Sequence, residues 1–138
     1  MVDNEIRELL NKLSSRTRRN HANELRELNI HVGQDHALRE LWQRDGMTQV
    51  QLCDRMGCEA PTVTNMVKKL ENYGLVYRKR DPLDARISRV YLTTDGHELK
   101  KPVQEVWRKQ QDELLEGISL EERQSMQRLL EKMNENIS

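Results

Sequence analysis

The chain has 138 residues, which is the size of a single domain and excludes a large multidomain enzyme. Hydrophobic residues make up 36% of it, charged residues make up 33%, and phenylalanine is absent, so the apolar supply is modest for a compact monomer and favours burial against a partner. The formal net charge is zero, which by itself selects neither a nucleic acid nor a membrane as partner.

The charge is unevenly distributed along the chain. Residues 59–90 contain seven basic and four acidic side chains, whereas residues 103–138 contain five basic and eight acidic ones. The middle segment is therefore a candidate surface for an anionic partner, and the C-terminal segment offsets its charge.

Neither a secretion signal nor a membrane span is predicted. The first helical stretch carries charges every few residues, and no apolar run approaches the roughly 20 residues that a span requires. Cys53 and Cys58 are too few and too close together for a disulfide framework. We expect a cytoplasmic protein in a reducing compartment, with no membrane partner.

Residues 3–28 are predicted to form one long helix, because apolar side chains recur at three- and four-residue spacings without Gly or Pro. Such a helix needs its apolar face covered by another element or another chain. The stripe near its start consists of Ile6, Leu9, Leu10 and Leu13.

Two shorter helices follow this one. Residues 34–44 form the first, and its inner face consists of Ala37, Leu38, Leu41 and Trp42. A capping box over Thr48 and Gln51 begins the second, and Gly57 ends it. We expect this second helix to bury Val50, Leu52 and Met56.

Residues 60–73 are predicted to form the next helix, with Pro61 in its first turn and Gly74 as its stop. Its inward residues are Val63, Met66, Val67 and Leu70, and its opposite face carries Thr62, Thr64, Asn65, Lys68 and Lys69. Two such helices separated by a tight turn are typical of a helix-turn-helix.

The period of the pattern then changes. Residues 75–80 and 87–92 are β-prone runs on either side of turn-forming residues, which predicts a hairpin with a charged tip over about 76–92. After it, a helix capped by Thr93 or Thr94 is predicted to run to about Glu116, with a kink at Pro102. A second capping box at Ser119 begins the last helix, whose apolar stripe is Met126, Leu129, Leu130, Met133 and Ile137.

Together these motifs resemble the MarR family of bacterial transcription regulators. The resemblance rests on Pro61-Thr62-Val63-Thr64 with Leu70, Gly74-Leu75-Val76 with Arg78, Asp81-Pro82-Leu83-Asp84-Ala85-Arg86, and Leu92-Thr93-Thr94-Asp95-Gly96. It covers essentially the whole chain and implies a mainly α (α+β) fold with one MarR-type domain, residues 1–138. In it, a winged helix-turn-helix core, 31–99, is flanked by long dimerisation helices, 1–30 and 100–138, that carry the two stripes named above.

The resemblance implies a homodimer that places two recognition helices in successive major grooves of a pseudo-palindromic double-stranded DNA operator. It further implies a repressor that a small aromatic or phenolic effector releases. Short polar side chains suit base edges, cations suit phosphates, and Arg86 at the hairpin tip suits the minor groove. Asp84 is expected either to hold the guanidinium of Arg86 or to serve only as a turn residue. The predicted DNA-binding residues are Pro61, Thr62, Thr64, Asn65, Lys68, Lys69, Arg78, Arg80, Asp84 and Arg86.

An effector site is expected from residues that pair a cation or an imidazole with an aromatic wall, which suits a carboxylate on a ring. In the family such acids bind between the DNA-binding and dimerisation parts. The candidates are Arg16, His31, His36, Trp42 and Trp107, with His21 as a further one. Both tryptophans are better explained as core residues, and His31 as a residue that satisfies a turn.

Three other functions are alternatives to DNA binding. An enzyme is not expected, because the chain has no recognisable nucleophile, zinc, phosphate-loop or paired-carboxylate motif, and neither a cofactor nor a metal site is expected. A thiol-oxidation switch at Cys53 or Cys58 stays open, because Cys58 precedes the recognition helix. A winged-helix protein-interaction module without DNA binding is disfavoured by the intact polar face.

Overall fold

Seven helices and three short strands make up the chain in a computed structural model that describes residues 1–138. The helices are α1 (Val2–Glu27), α2 (Gln34–Gln43), α3 (Gln49–Met56), α4 (Ala60–Asn72), α5 (Thr94–Glu98), α6 (Lys100–Leu114) and α7 (Leu120–Ile137). The strands are β1 (Met47–Thr48), β2 (Val76–Arg80) and β3 (Ser88–Leu92). The mainly helical fold with a small sheet that the sequence predicts is therefore confirmed.

The three strands form one antiparallel sheet in the order β1, β3, β2. Strands β2 and β3 form the hairpin and pair Arg78 with Val90 and Arg80 with Ser88. Strand β1 pairs with the other edge of β3 and places Met47 opposite Val90. The loop before α3 is thereby held against the base of the hairpin.

The chain divides into two compact units, residues 1–106 and residues 107–138. The core of the first unit is formed by apolar residues from the end of α1, from α2 to α4 and from the sheet. The loop after α1 adds Ile30, and α6 adds Val103. The largest fully buried side chains are Leu25, Ile30, Leu38, Leu41, Met47, Leu52, Val63, Val67, Leu70, Val90 and Val103. The second unit contains the end of α6 and all of α7, and no residue of α7 is buried.

Helix boundaries follow the capping chemistry that the sequence predicts. Thr48 accepts a hydrogen bond from the backbone N–H of Gln51, whose side chain accepts from the N–H of Thr48. Ser119 and Glu122 form the same reciprocal box at the start of α7. The hydrogen bond with the backbone of Ser119 lowers the pKa of the Glu122 carboxyl most, and the hydrogen bond with the Ser119 side chain lowers it further.

Two details of the predicted helices are wrong. Val50 is 71% exposed, because in an eight-residue helix it lies about 200° around the axis from Leu52, which faces the core with Met56. The helix after Thr93 breaks at Leu99 into α5 and α6 instead of kinking. Pro102 has no N–H to donate to the carbonyl of Glu98, and its ring crowds that carbonyl.

Gly96 lies where α5 crosses the start of the hairpin. A Cβ at this position would overlap the carbonyl oxygen of Leu75 and lie 3.2 Å from Leu92. Its own carbonyl accepts a 2.9 Å hydrogen bond from Nε1 of Trp42. The close approach explains why glycine stands here, and the hydrogen bond joins α2 to α5.

We expect Gly96→Ala to destabilise the protein, although alanine normally stabilises a helix by up to about 1 kcal/mol relative to glycine. The clash with a backbone oxygen reverses the sign, and the expected loss in free energy of unfolding is at least about 2 kcal/mol. Urea denaturation at one fixed protein concentration measures it. Thr94→Ala, at an exposed position of the same helix, is the control and should change stability by less than about 0.5 kcal/mol. Equal stability of the two variants would contradict the close approach.

Candidate nucleic-acid interface

Helix α4 is oriented by the apolar residues on one of its faces. Val63, Val67 and Leu70 are buried, so the opposite face points to solvent. The helix begins at Ala60 after the N-cap Glu59, with Pro61 in the first turn, where a missing N–H leaves no bond unmade. Since α3 ends at the left-handed Gly57, the two helices form a helix-turn-helix with α4 as its second helix.

The outward face of α4 carries the polar residues that the sequence predicts. Pro61, Thr62, Asn65, Lys68 and Lys69 are all exposed. Thr64 differs, because it is half-buried and its hydroxyl accepts a 3.2 Å hydrogen bond from Nε2 of Gln49 in α3. This contact of Gln49 was not predicted, because nothing in the local sequence pattern indicates a partner 15 residues away.

The hairpin, hereafter the wing, carries three predicted arginines on or beside one face. Arg78 and Arg80 lie on the same face of β2, because alternate residues of a strand point to the same side. Strand β2 is buried at Val76 and exposed from Tyr77 to Arg80. With Arg86, Ala85 and Ser88 they line a groove of about 470 Å³. The structure therefore brings these three guanidinium groups together.

Two of these arginines have partners within the chain. Nε of Arg78 lies 2.7 Å from Oε1 of Glu71 at the end of α4, and Nη1 of Arg80 donates a 2.7 Å hydrogen bond to the carbonyl of Ala85. These contacts join the wing to α4 and close the wing loop. Arg78 and Arg80 thus have structural roles besides any contact with a ligand.

Arg86 is highly exposed, with 92% of its side chain accessible. Its Nε lies 3.2 Å from Oδ1 of Asp84, and its backbone N–H donates to the same oxygen at 3.1 Å. Asp84 therefore holds both the backbone and the side chain of Arg86, which is the contact expected from the sequence. The guanidinium is oriented at the wing tip and still open to solvent.

A second carboxylate and arginine pair lies in the wing and was missed by sequence reasoning. Oδ2 of Asp81 lies 2.7 Å from Nε of Arg89, and Oδ1 accepts from the backbone N–H of Leu83 at 2.7 Å. The hydrogen bond from Arg89, followed by that from Leu83, lowers the pKa of the Asp81 carboxyl. The pair is separated by eight residues, a spacing that no local motif marks.

The predicted interface stripes are uncovered in the single chain. Ile6, Leu9, Leu10 and Leu13 of α1 are exposed, and Leu25 is the one buried residue of that helix. Leu129, Leu130, Met133 and Ile137 of α7 are exposed, and Met126 is half-buried. Both terminal helices therefore present apolar surface to solvent.

The predicted effector residues are spread over several elements. Arg16 and His36 are exposed on α1 and α2, Trp42 donates to Gly96, and Trp107 is half-buried in the second unit. His31 lines a cavity of about 430 Å³ in the first unit. The other lining residues are Arg26, Leu28, Asn29, Ile30, Tyr73, Leu75 and Leu99. Arg26 and Tyr73 are not among the effector residues predicted from the sequence.

The remaining candidates have defined positions. Cys53 and Cys58 are half-buried free thiols, and Sγ of Cys58 lies 3.6 Å from the carbonyl of Met56. His21 makes a 2.8 Å contact from Nε2 to Asp35, which joins α1 to α2. No group of three or more His, Cys, Asp or Glu side chains is arranged to hold a metal ion. None of the helices has the length and apolar character needed to span a bilayer.

Comparison with known proteins gives one consistent result. The family model of the MarR family matches residues 30–88, which include α2 to α4 and most of the wing. A MarR-family transcriptional regulator from Silicibacter pomeroyi is similar, with 31% identity over 94% of this chain and 88% of that one and a TM-score of 0.70.

Two further solved structures are similar to the chain. The MepR protein of Staphylococcus aureus, in complex with DNA, shares 29% identity over 93% of this chain and 95% of that one, with a TM-score of 0.83. A MarR protein from Peptoclostridium difficile shares 25% identity over 96% of this chain and 86% of that one, with a TM-score of 0.82.

Proposed function

This chain belongs to the MarR family of transcriptional regulators. From that premise we propose that it is a homodimeric transcriptional repressor that binds double-stranded DNA. It binds a pseudo-palindromic operator and is released by a small aromatic or phenolic effector. The family consists of transcription regulators and not of enzymes. The observation that carries the proposal is the exposed polar face of α4 beside a wing whose tip arginine is held in place.

The exposed residues of α4 divide into two chemical kinds. Thr62 and Asn65 are short hydrogen-bonding side chains that can reach base edges in the major groove, whereas Lys68 and Lys69 suit phosphates. Thr64 is half-buried, and its hydrogen bond with Gln49 holds its hydroxyl against α3. We assign sequence reading chiefly to Thr62 and Asn65.

The wing supplies the second contact. Arg86 is exposed and oriented by Asp84, which suits insertion into a narrow minor groove where the negative potential is high. Arg78 and Arg80 lie on the same groove and face the phosphates that flank it. The MepR complex supports DNA binding in general, because that similar protein was solved bound to DNA.

Dimerisation follows from the uncovered stripes on α1 and α7. Exposed leucines at helical spacing, in a chain with few apolar residues, indicate a surface that a partner covers. A second copy of the chain offers the same stripes and can cover them in a symmetric dimer. Two recognition helices of a symmetric dimer would meet half-sites about one helical turn apart, roughly 10 bp.

We expect Arg86→Ala to weaken operator binding by about ten- to a hundredfold, because it removes the wing-tip cation. The slope of log affinity against log salt should fall by about one, since one phosphate-region contact is lost. Fluorescence anisotropy with duplexes enriched from a random pool by the wild-type protein measures both quantities. Lys109→Ala, at an exposed site of α6, is the control and should leave both unchanged. Failure to enrich any duplex would contradict DNA binding and favour a protein-interaction module.

We expect Leu130→Glu to dissociate the dimer, because the carboxylate would be buried without a partner in the interface. The dimer dissociation constant should rise at least about a hundredfold. Sedimentation velocity over a concentration series measures it. Val50→Glu changes another exposed apolar residue that lies outside both stripes, so it should leave the dimer intact. If the wild-type protein sediments as a monomer at all concentrations, the proposal of a dimer is wrong.

The effector is best placed in the cavity lined by His31. Its volume of about 430 Å³ suits a small ring compound, its walls include Leu28, Ile30, Leu75 and Leu99, and Arg26 supplies a cation for a carboxylate. Tyr73 adds an aromatic wall at the end of α4. Of the residues named from the sequence, His31 is the one that this site uses.

We expect 2-hydroxybenzoate to bind the wild-type protein and to lower the anisotropy of its DNA complex. Arg26→Met should weaken that binding about tenfold, because the charge-assisted hydrogen bond to the carboxylate is lost. Arg16→Met, on the same helix and outside the cavity, should bind normally. Isothermal titration calorimetry compares the three proteins. If only Arg16→Met lost affinity for 2-hydroxybenzoate, the effector site would lie elsewhere on α1 and not in this cavity.

A further inference from the structure

We propose that Arg89 is a positioning residue for the wing: it joins Asp81 at the wing loop to the backbone of Gly46 beside β1, and so sets where Arg86 is presented. The proposal rests on the proposed DNA-binding function, which it deepens. Arg89 belongs to the basic segment at residues 59–90, and its guanidinium is hydrogen-bonded to Asp81 and to the carbonyl of Gly46.

The strand register separates Arg89 from the arginines of the wing groove. Arg78 pairs with Val90 and Arg80 with Ser88, so their side chains share one face of the hairpin. Arg89 pairs with Lys79 and lies between Ser88 and Val90 in sequence, so it points to the other face. It is therefore not a fourth member of the groove.

On that other face Arg89 makes two hydrogen bonds with different segments. Its Nε lies 2.7 Å from Oδ2 of Asp81, and its Nη1 donates to the carbonyl of Gly46 at 3.0 Å. The side chain of Arg89 is 31% exposed and that of Asp81 is 11% exposed. One planar guanidinium thus spans a contact to the wing loop and a contact 43 residues away in sequence.

The Gly46 end of this bridge is itself fixed. Oδ1 of Asp45 accepts from the backbone N–H of Gly46 at 3.0 Å and from that of Leu92 at 2.9 Å. Gly46 has a φ of 73°, and a Cβ there would lie 2.7 Å from the ring of Tyr91, so the turn packs directly on the sheet. Arg89 is therefore anchored to a rigid point at the base of the wing.

The Asp81 end controls the wing loop. Oδ1 of Asp81 accepts from the N–H of Leu83, and the N–H of Asp81 donates to the carbonyl of Ile87 at 2.8 Å. The N–H of Ile87 in turn donates to the carbonyl of Asp84, the residue that holds Arg86. A continuous series of hydrogen bonds thus runs from Gly46 through Arg89 and Asp81 to Arg86.

The test compares Arg89→Met with Lys79→Met. Methionine keeps the aliphatic stem but removes both donors, and Lys79 is the exposed cross-strand neighbour on the same face, so both variants lose one positive charge at nearly the same place. The first measurement uses a labelled duplex that the wild-type protein enriches from a random pool, titrated by anisotropy over a salt series.

Arg89→Met is expected to weaken binding about tenfold with the salt slope unchanged, because Arg86 still reaches the DNA but the loosened wing tip must be ordered on binding. Lys79→Met is expected to stay within about twofold of wild type. Arg89→Lys keeps the charge but cannot reach both acceptors as a fork, so it should remain at least about threefold weaker. A salt slope reduced by one in Arg89→Met, equal losses in both methionine variants, or full recovery in Arg89→Lys would overturn the proposal.

A second measurement reads the bridge in the free protein. Amide hydrogen exchange by NMR should show faster exchange at Asp81 and Leu83 in Arg89→Met, while the amide of Leu92, held by Asp45, keeps its protection and reports that the variant is folded. Unchanged exchange at Asp81 and Leu83 would overturn the bridge. If the wild-type protein enriches no duplex, the proposed function fails, and this measurement still decides whether Arg89 orders the wing.

Discussion

The burial of one face of α4 is the constraint on which the rest of the interface depends. Val63, Val67 and Leu70 occupy the core, and rotating the helix to expose another face would move all three into water at a cost of several kcal/mol. The polar face is therefore presented at one fixed angle relative to α3 and the sheet. Specific recognition of a groove by a few short side chains requires this rigidity, because Thr62 and Asn65 have little reach of their own.

Some basic residues of the central segment make contacts within the protein, and others remain exposed and available to an external partner. Arg78 pairs with Glu71, Arg80 caps the carbonyl of Ala85, and Arg89 spans Asp81 and Gly46, whereas Lys68 and Arg86 keep their cationic groups open to solvent. An excess of positive charge in a segment thus overstates the number of cations available for DNA. The internally paired arginines still contribute to the local potential, and they order the loop from which the exposed ones extend.

Sequence patterns with a local cause predicted the structure well. The capping boxes at Thr48 and Ser119, the hairpin and the helix-turn-helix are all present, since each depends on residues a few positions apart. Val50 was placed wrongly, because a helix of eight residues is too short for its period to show which side is buried. The roles of Gln49, Arg89 and Arg26 were missed, because their partners or neighbours are brought close only by the tertiary fold.

The composition of the chain acquires a physical meaning once the exposed residues are located. The core of the first unit is filled by apolar residues from Leu25 onwards. The stripe near the start of α1 and the stripe on α7, in contrast, are uncovered in one chain. The proposed effector cavity brings Arg26, near the end of α1, to Tyr73, at the end of α4. In the proposed mechanism, a ligand bound there would contact both the helix that carries an interface stripe and the proposed recognition helix. It would shift the DNA-binding equilibrium to the extent that it binds one relative placement of those two helices more tightly than another.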